Sequence, residues 1–294
     1  MNETVIYKNS MNAVAFPKLT AIEYDILYSI LYKVKNRKDE VIEMSFGEVA
    51  DLMNWKGKLK TKRLANSIRS MNKKLLEANF LICLDDKGKE TLQAPLFYGF
   101  KTSEEDMSLK IQVNPIFVDL FNDLKANYTK LELATVTSFK SKYSKRLYAQ
   151  LRQYRHSGWW QIDIDEFKNL LDIPKSYAVG NIIRDVINPA IEEIEPYLGV
   201  LVMEPQYEVR NHTRGKRPIK SLRFEFTPEP KKQLQPMEED KPKQKKRVEY
   251  TCPQCGQKLH WIKGKKGDFL GHDRGSKCCA TYQSFAEIKG YKEK

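Results

Sequence analysis

The chain has 294 residues, 41% of them hydrophobic and 30% charged, with 51 Lys and Arg against 38 Asp and Glu, a formal net charge of +13. That length allows two ordinary domains and a small appendage, the apolar content excludes a wholly disordered chain, and no apolar run approaches the roughly 18 residues of a membrane span. No basic stretch followed by an apolar core opens the sequence, so the expected compartment is the cytosol, where clustered cysteines bind metal rather than pair, and the cation excess predicts attraction to a polyanion such as nucleic acid.

In chain order, Leu19–Lys35 places Ile22, Ile26, Leu27, Ile30 and Leu31 at helical spacing behind a Thr20/Glu23 capping box. A short strand, VIEMSF, leads to Ser45 as N-cap of the helix FGEVADLMNW. After a turn at Gly57, a helix over Thr61–Asn79 aligns Leu64, Ile68, Met71 and Leu75. FLICLDD, a turn at Lys87-Gly88 and the alternating strand TLQAPLFYGF follow, with Cys83 as a small buried hydrophobe. Helix, strand, helix, turn, helix and hairpin is the order of a winged helix–turn–helix.

The order then repeats. Ser144–Arg155 is helical, with Leu147, Leu151 and Tyr154 inward, and Gly158 ends it. WWQIDI is a strand whose Trp159 and Trp160 are expected in the core. Asp165 caps EFKNLLDI, Pro174 breaks the chain, and a third helix runs from about Val179 to Ile194. LGVLVMEPQYEV and IKSLRFEFT form a hairpin around the basic turn Arg210–Arg217. The expected class is α+β: a first winged helix over 1–127, a second over 128–228, a charged flexible linker over 229–249 and a Cys-rich module over 250–294.

The third helix of such a unit packs one stripe on the core and offers the other to the DNA major groove. In the first unit the outward stripe is Lys62, Asn66, Arg69, Ser70 and Lys73, with Lys58 and Lys60 before it. Arg and Lys suit guanine, and Asn suits adenine. The competing reading is a solvated basic face. In the second unit the inward stripe is Val179, Ile183, Val186, Ile187, Ala190 and Ile194. Asn181, Arg184 and Asn188 lie opposite, with Lys175, Ser176 and Tyr177 leading in. Pro189 should bend this helix or interrupt its hydrogen bonds, and Glu192, Glu193 and Glu195 beyond it would repel phosphate. Arg210, Arg214, Lys216 and Arg217 form a cationic wing tip. His156 and His212 are read as surface residues.

Four of the five cysteines and two of the four histidines lie in Thr251–Gln283. Cys252 and Cys255 bracket a tight turn with Gly256, and GKKGDFLGHDRGSKC supplies further ligands. This pattern is similar to the C-terminal zinc ribbons of type IA topoisomerases, with His272 in the place of a cysteine. The reading is one structural zinc ion on Cys252, Cys255, His272 and Cys278, with Cys279 and His260 as possible substitutes for the last two types of ligand. Trp261, Phe269, Tyr282 and Phe285 with Lys263, Lys265 and Lys266 suit single-stranded DNA, or the aromatics form the ribbon's own core.

At YSKRLYAQLRQYRHSGWWQIDIDEFKNLLDIPKSY and IIRDVINPAIEEI the sequence resembles the iteron-binding initiators of theta-replicating plasmids. The matching positions are Ser144, Arg146, Leu147, Tyr148, Leu151, Tyr154, Trp159, Leu171, Ile173 and Tyr177, then Val186, Ile187, Pro189, Ala190, Ile191, Glu193 and Ile194. The match spans roughly residues 5–228 and is looser in the first unit. It implies a bacterial protein whose winged helices straddle a direct repeat at a plasmid origin. It also implies that monomers open the origin and recruit the host initiator and replicative helicase, while homodimers repress their own promoter. The sequence departs from the family pattern at Asp185, where a cation is usual, and at Ile182-Ile183.

No two histidines are separated by one residue and no G-x-x-x-x-G-K-[ST] occurs, so neither a nicking nuclease nor a phosphate-loop helicase is expected and the protein is read as a non-enzyme. The alternatives are a winged-helix transcriptional regulator and a phage replication protein.

Overall fold

The computed structural model describes residues 3–14, 16, 18–55, 61–83, 91–208, 217–230, 250–252, 254–264 and 267–272. Two compact units divide the chain, Met1–Leu234 and Gln235–Lys294.

The first unit opens with β1 (Thr4–Lys8), a 3-10 turn over Asn9–Ala13 and α1 (Ala21–Val34). The capping box forms as predicted: the Glu23 N–H donates to Thr20 Oγ1 at 3.3 Å and the Thr20 N–H to Glu23 Oε2 at 2.7 Å. Two amides left open at the helix start are satisfied in this way. Ile26, Leu27, Ile30 and Leu31 are buried. β2 (Val41–Ser45) runs into α2 (Phe46–Leu52), where Ser45 Oγ accepts from the Glu48 N–H at 3.0 Å. α3 (Thr61–Glu77) precedes the hairpin of β3 (Asn79–Cys83) and β4 (Thr91–Pro95). Both predicted turns, at Gly57 and at Lys87-Gly88, lie outside the described residues.

The stretch TLQAPLFYGF is two strands rather than one. Pro95, the last residue of β4, has no N–H to extend the ladder, and Asn114 holds the kink by donating from Nδ2 to the Pro95 carbonyl and from its N–H to the Leu96 carbonyl, each at 3.0 Å. β5 (Phe97–Ser103) therefore joins β6 (Ser108–Val113), a strand the sequence pattern missed, and β6 pairs with β2. β7 (Tyr128–Glu132) pairs antiparallel with β1 and leads through α4 (Leu133–Ser138) to α5 (Lys142–Gln153).

After α5, Gly158 turns the chain at φ +73°, where a Cβ would lie 2.9 Å from the Phe226 carbonyl oxygen, so only glycine fits there. β8 (Trp159–Asp163) and α6 (Ile164–Leu170) follow. The cap is Asp163, not Asp165: Asp163 Oδ1 accepts from the Asp165 N–H at 2.9 Å, because the strand ends earlier than its sequence pattern implied. α7 (Val179–Ile182), a π-turn over Ile183–Ile187 and α8 (Asn188–Leu198) follow without a break and together make up the predicted third helix. β9 (Leu201–Tyr207) and β10 (Ile219–Phe226) complete an antiparallel sheet in the order β8-β10-β9. Trp160 stacks between Tyr154 and Phe224 in the core. Trp159, expected beside it, is instead 46% exposed, because successive strand residues face opposite ways; its ring lies 4.6 Å from the Arg223 guanidinium.

α5 packs on α1, α4, β7 and the first 3-10 turn, and also on the π-turn and α8. Its Lys145 is wholly buried and donates to Asp25 Oδ1 at 2.6 Å and to the carbonyls of Val136 at 3.1 Å and Thr137 at 3.4 Å. Arg146 donates to the Asn12 carbonyl at 3.2 Å and the Val14 carbonyl at 2.7 Å. Asn12 in turn donates to Thr129 Oγ1 at 2.7 Å and to Gln153 Oε1 at 3.1 Å. Elements assigned by sequence to different winged helices thus share one polar joint.

In the second unit, β11 (Tyr250–Thr251), β12 (Lys258–Gly264) and β13 (Gly267–Gly271) form a small antiparallel sheet. The expected linker falls almost wholly on residues 231–249, outside those described.

Lys145's three donors meet three acceptors, while burial lowers its pKa against the pull of Asp25. Burial raises the Asp25 carboxyl to about 7 against the pull of that charge. Replacing Lys145 by Met strands the carboxylate, and the expected loss of stability is about 3–5 kcal/mol. A carboxyl whose folded pKa lies above its unfolded one favours the folded state while protonated, and loses that contribution as pH rises through the folded value. Denaturant unfolding of K145M should therefore show a smaller deficit at pH 5 than at pH 8.

Candidate nucleic-acid interface

α3 divides as its periodicity implies. Leu64, Ile68, Met71 and Leu75 are buried, whereas Lys62, Asn66, Arg69, Ser70 and Lys73 are exposed on the opposite side. Arg69 is partly engaged, donating to Asn66 Oδ1 at 3.4 Å and pairing with Glu104. Lys58 and Lys60 lie outside the described residues. A shallow groove runs between the start of α1 and α3, lined by Thr20, Lys62, Arg63, Asn66 and Ser70. Its far end is closed by Lys74, which pairs with the buried Glu23 at 2.7 Å. Burial alone would raise the Glu23 carboxyl, but donors from Lys74 and Thr20 outweigh it and hold it below its ordinary value. Arg63, which stands 6.0 Å from the Trp55 ring, belongs to this cationic edge and was missed in the sequence because it adjoins the buried stripe.

In the second winged helix, Lys175, Ser176, Tyr177, Asn181, Arg184 and Asn188 are all exposed. Pro189 has the expected effect. It has no N–H for the Asp185 carbonyl four residues before it, and the Asn188 N–H bonds to the Ile183 carbonyl, five residues back. That wider turn also changes the inward stripe. Ile182 is fully buried and Ile183, assigned to the core, is half-buried. Val186, Ile187, Ala190 and Ile194 are buried as expected. Glu192 and Glu195 are exposed on α8, and Glu193 accepts from the Lys140 N–H at 3.3 Å. Of the wing cations, Arg217 is exposed, and Arg210, Arg214 and Lys216 lie outside the described residues, as does His212. His156 is exposed and its Nδ1 lies 3.1 Å from the Glu229 carbonyl oxygen.

The second unit brings three sulfur and nitrogen donors together. Cys252 and Cys255 sit on a turn closed by the Gly256 N–H to the Cys252 carbonyl at 2.8 Å, with Gly256 at φ +70°. His272 follows β13, so the β12–β13 hairpin returns it to that turn. Their ligand atoms all lie within 4.8 Å of one another, and Cys255 Sγ is 3.2 Å from His272 Nε2. His260 is exposed on β12 and is not in this cluster, while Cys278 and Cys279 lie outside the described residues.

A family model described as "Initiator Replication protein, WH1" matches residues 4–152, and one described as "Initiator Rep protein, WH2" matches residues 163–226. The chain belongs to this initiator family. Within it, the chain is 40% identical over 211 residues to a probable replication protein of Bifidobacterium longum (strain NCC 2705), covering 71% of this chain and 70% of that protein. It is 23% identical over 210 residues to a replication initiation protein of Escherichia coli, covering 67% of this chain and 64% of that one. A crystal structure of the Pi initiator protein in complex with iteron DNA superposes with a TM-score of 0.58 at 19% identity, covering 76% of this chain and 97% of that one. That likeness is one of fold.

The initiator motif around α5 is therefore a packing motif. Ser144, Lys145, Arg146, Leu147, Tyr148 and Leu151 are all buried, and they pack α5 against α1, α4 and the first 3-10 turn on one side and against α8 on the other. The residues offered to solvent on α3, and on the run from α7 through the π-turn to Asn188, lie on other elements. Among the described residues, no helix is long and apolar enough to cross a membrane.

Proposed function

We propose that this protein initiates plasmid replication by binding direct repeats of double-stranded DNA at the origin through its two winged helices. One observation carries the reading: each winged helix presents a helix whose inward stripe is core and whose outward stripe holds Arg, Lys or Asn. The Pi initiator, which has the same fold, forms a complex with iteron DNA. Asn66, Arg69 and Ser70 on α3, and Asn181, Arg184 and Asn188 beyond Tyr177, are the groove readers in this reading. Lys58, Lys60, Lys62, Lys73, Lys175, Ser176 and the wing cations Arg210, Arg214, Lys216 and Arg217 meet phosphates. The bound protein then opens the origin, recruits the host initiator and replicative helicase, and as a homodimer represses its own gene in the bacterial cytoplasm. It acts by binding rather than by catalysis.

The second unit holds one structural zinc ion on Cys252, Cys255 and His272, with Cys278 as fourth ligand. Thiolate and imidazole are zinc donors, and two such ligands on a tetrahedral ion lie about 3.6 Å apart, a spacing bracketed by the 3.2 Å and 4.8 Å of the cluster. The ion would fix the turn against the hairpin in a module too small to fold on apolar burial alone. Trp261, Lys263 and Phe269 on its strands make it a contact for the melted strand.

Footprinting on the DNA flanking the gene should protect several direct repeats; protection of a lone inverted repeat would point to a transcriptional regulator instead. Lys62→Ala and Lys73→Ala should each weaken repeat binding without changing its sequence preference, and lower the salt dependence by about one phosphate contact. Elemental analysis of the full chain should find one zinc per molecule. Cys255→Ser should lose the metal and weaken single-strand binding while affinity for the duplex repeat stays unchanged.

A further inference from the structure

The second winged helix carries a carboxylate where a DNA-facing surface would ordinarily exclude one. Arg184 donates from Nε to Asp185 Oδ1 at 2.6 Å and from Nη2 to Asp185 Oδ2 at 2.8 Å. Both side chains are open to solvent, 70% for Arg184 and 43% for Asp185. Neighbouring residues of an α-helix do not face one another. Here they lie in the π-turn forced by Pro189, whose wider coil brings successive positions closer in direction. The pairing holds the Asp185 carboxyl below its ordinary value and raises Arg184.

An exposed ion pair adds little to stability, so its effect is on orientation. A guanidinium has five N–H donors in a rigid planar fork. Asp185 takes the Nε–H and one Nη2–H, which leaves both Nη1–H groups and the second Nη2–H. Those remaining donors form the end of the fork, the edge that matches guanine O6 and N7 in the major groove. A side chain already held in one plane gives up less rotational freedom on binding.

We propose that Asp185 is a positioning residue that determines specificity: it locks the Arg184 guanidinium so that the free edge of its fork reads a guanine in the repeat. This rests on the reading of Asn181–Asn188 as a groove-facing segment. It also accounts for a carboxylate beside the phosphate-facing cations, since the negative charge is neutralised by the arginine it steers.

The test measures affinity of the full chain for its repeat and for repeats carrying single base-pair changes, using the parent protein, Asp185→Ala, Arg184→Ala and the double variant. The expected result is a roughly tenfold loss for Asp185→Ala on the native repeat, with discrimination lost at one G·C pair. Arg184→Ala should lose discrimination at the same pair, and the double variant should bind no worse than Arg184→Ala. A carboxylate that merely repels phosphate gives the opposite sign: Asp185→Ala would then bind every duplex more tightly with discrimination intact, and the inference would fall. An Arg184→Ala variant unchanged in both affinity and discrimination would overturn the groove-facing assignment itself.

Discussion

A lysine with no access to water ties α5 to the helices beneath it. Lys145 reaches from α5 to a carboxylate on α1 and to two carbonyls of α4. A buried ammonium is tolerable only when each of its protons meets an acceptor, so α1 and α4 are both fixed relative to α5. α3 packs on α1, α1 packs on α5, and α5 packs on the π-turn and α8. The outward stripes of the two winged helices are therefore linked through a short series of packed elements with a charged pair at its centre.

The distribution of charge follows the same frame. The chain's excess of 13 positive charges is not spread evenly. Exposed Lys and Arg line α3 and the approach to α7, whereas α8 beyond Pro189 carries Glu192, Glu193 and Glu195 and no Lys or Arg. Pro189 marks the change. Before it, the backbone opens into a π-turn that presents Arg184 and Asp185; after it, Ala190, Ile194 and Leu198 return α8 to the core.

The second unit obeys a different constraint. Among its described residues, the short strands bury Cys252 and Leu259. Two thiols and an imidazole are brought within 4.8 Å of one another there. The β12–β13 hairpin sets the return of His272 to the Cys252–Cys255 turn.

The sequence by itself determined the local structure and the chemistry available. The capping box at Thr20, the inward stripe of α3, the interruption at Pro189 and the Cys252–Cys255 turn were all legible, because each depends on residues within one or two helical turns of one another. The exposed polar stripes of α3 and of the helical run from α7 to Asn188 were legible for the same reason, as the face opposite a core stripe. Only the tertiary structure decided the rest. Whether TLQAPLFYGF made one strand or two depended on Asn114, nearly twenty residues further on. The exposure of Trp159 depended on which face of β8 met α6, and the choice of His272 over His260 on the register of a hairpin. The initiator motif on α5 could be recognised in sequence, but not its purpose: that Lys145 and Arg146 are buried clamps rather than DNA contacts rests on partners more than 100 residues away in the chain. Spacing along a chain constrains what a helix or turn can do with its own neighbours, and it says nothing about which distant acceptor a buried cation will find.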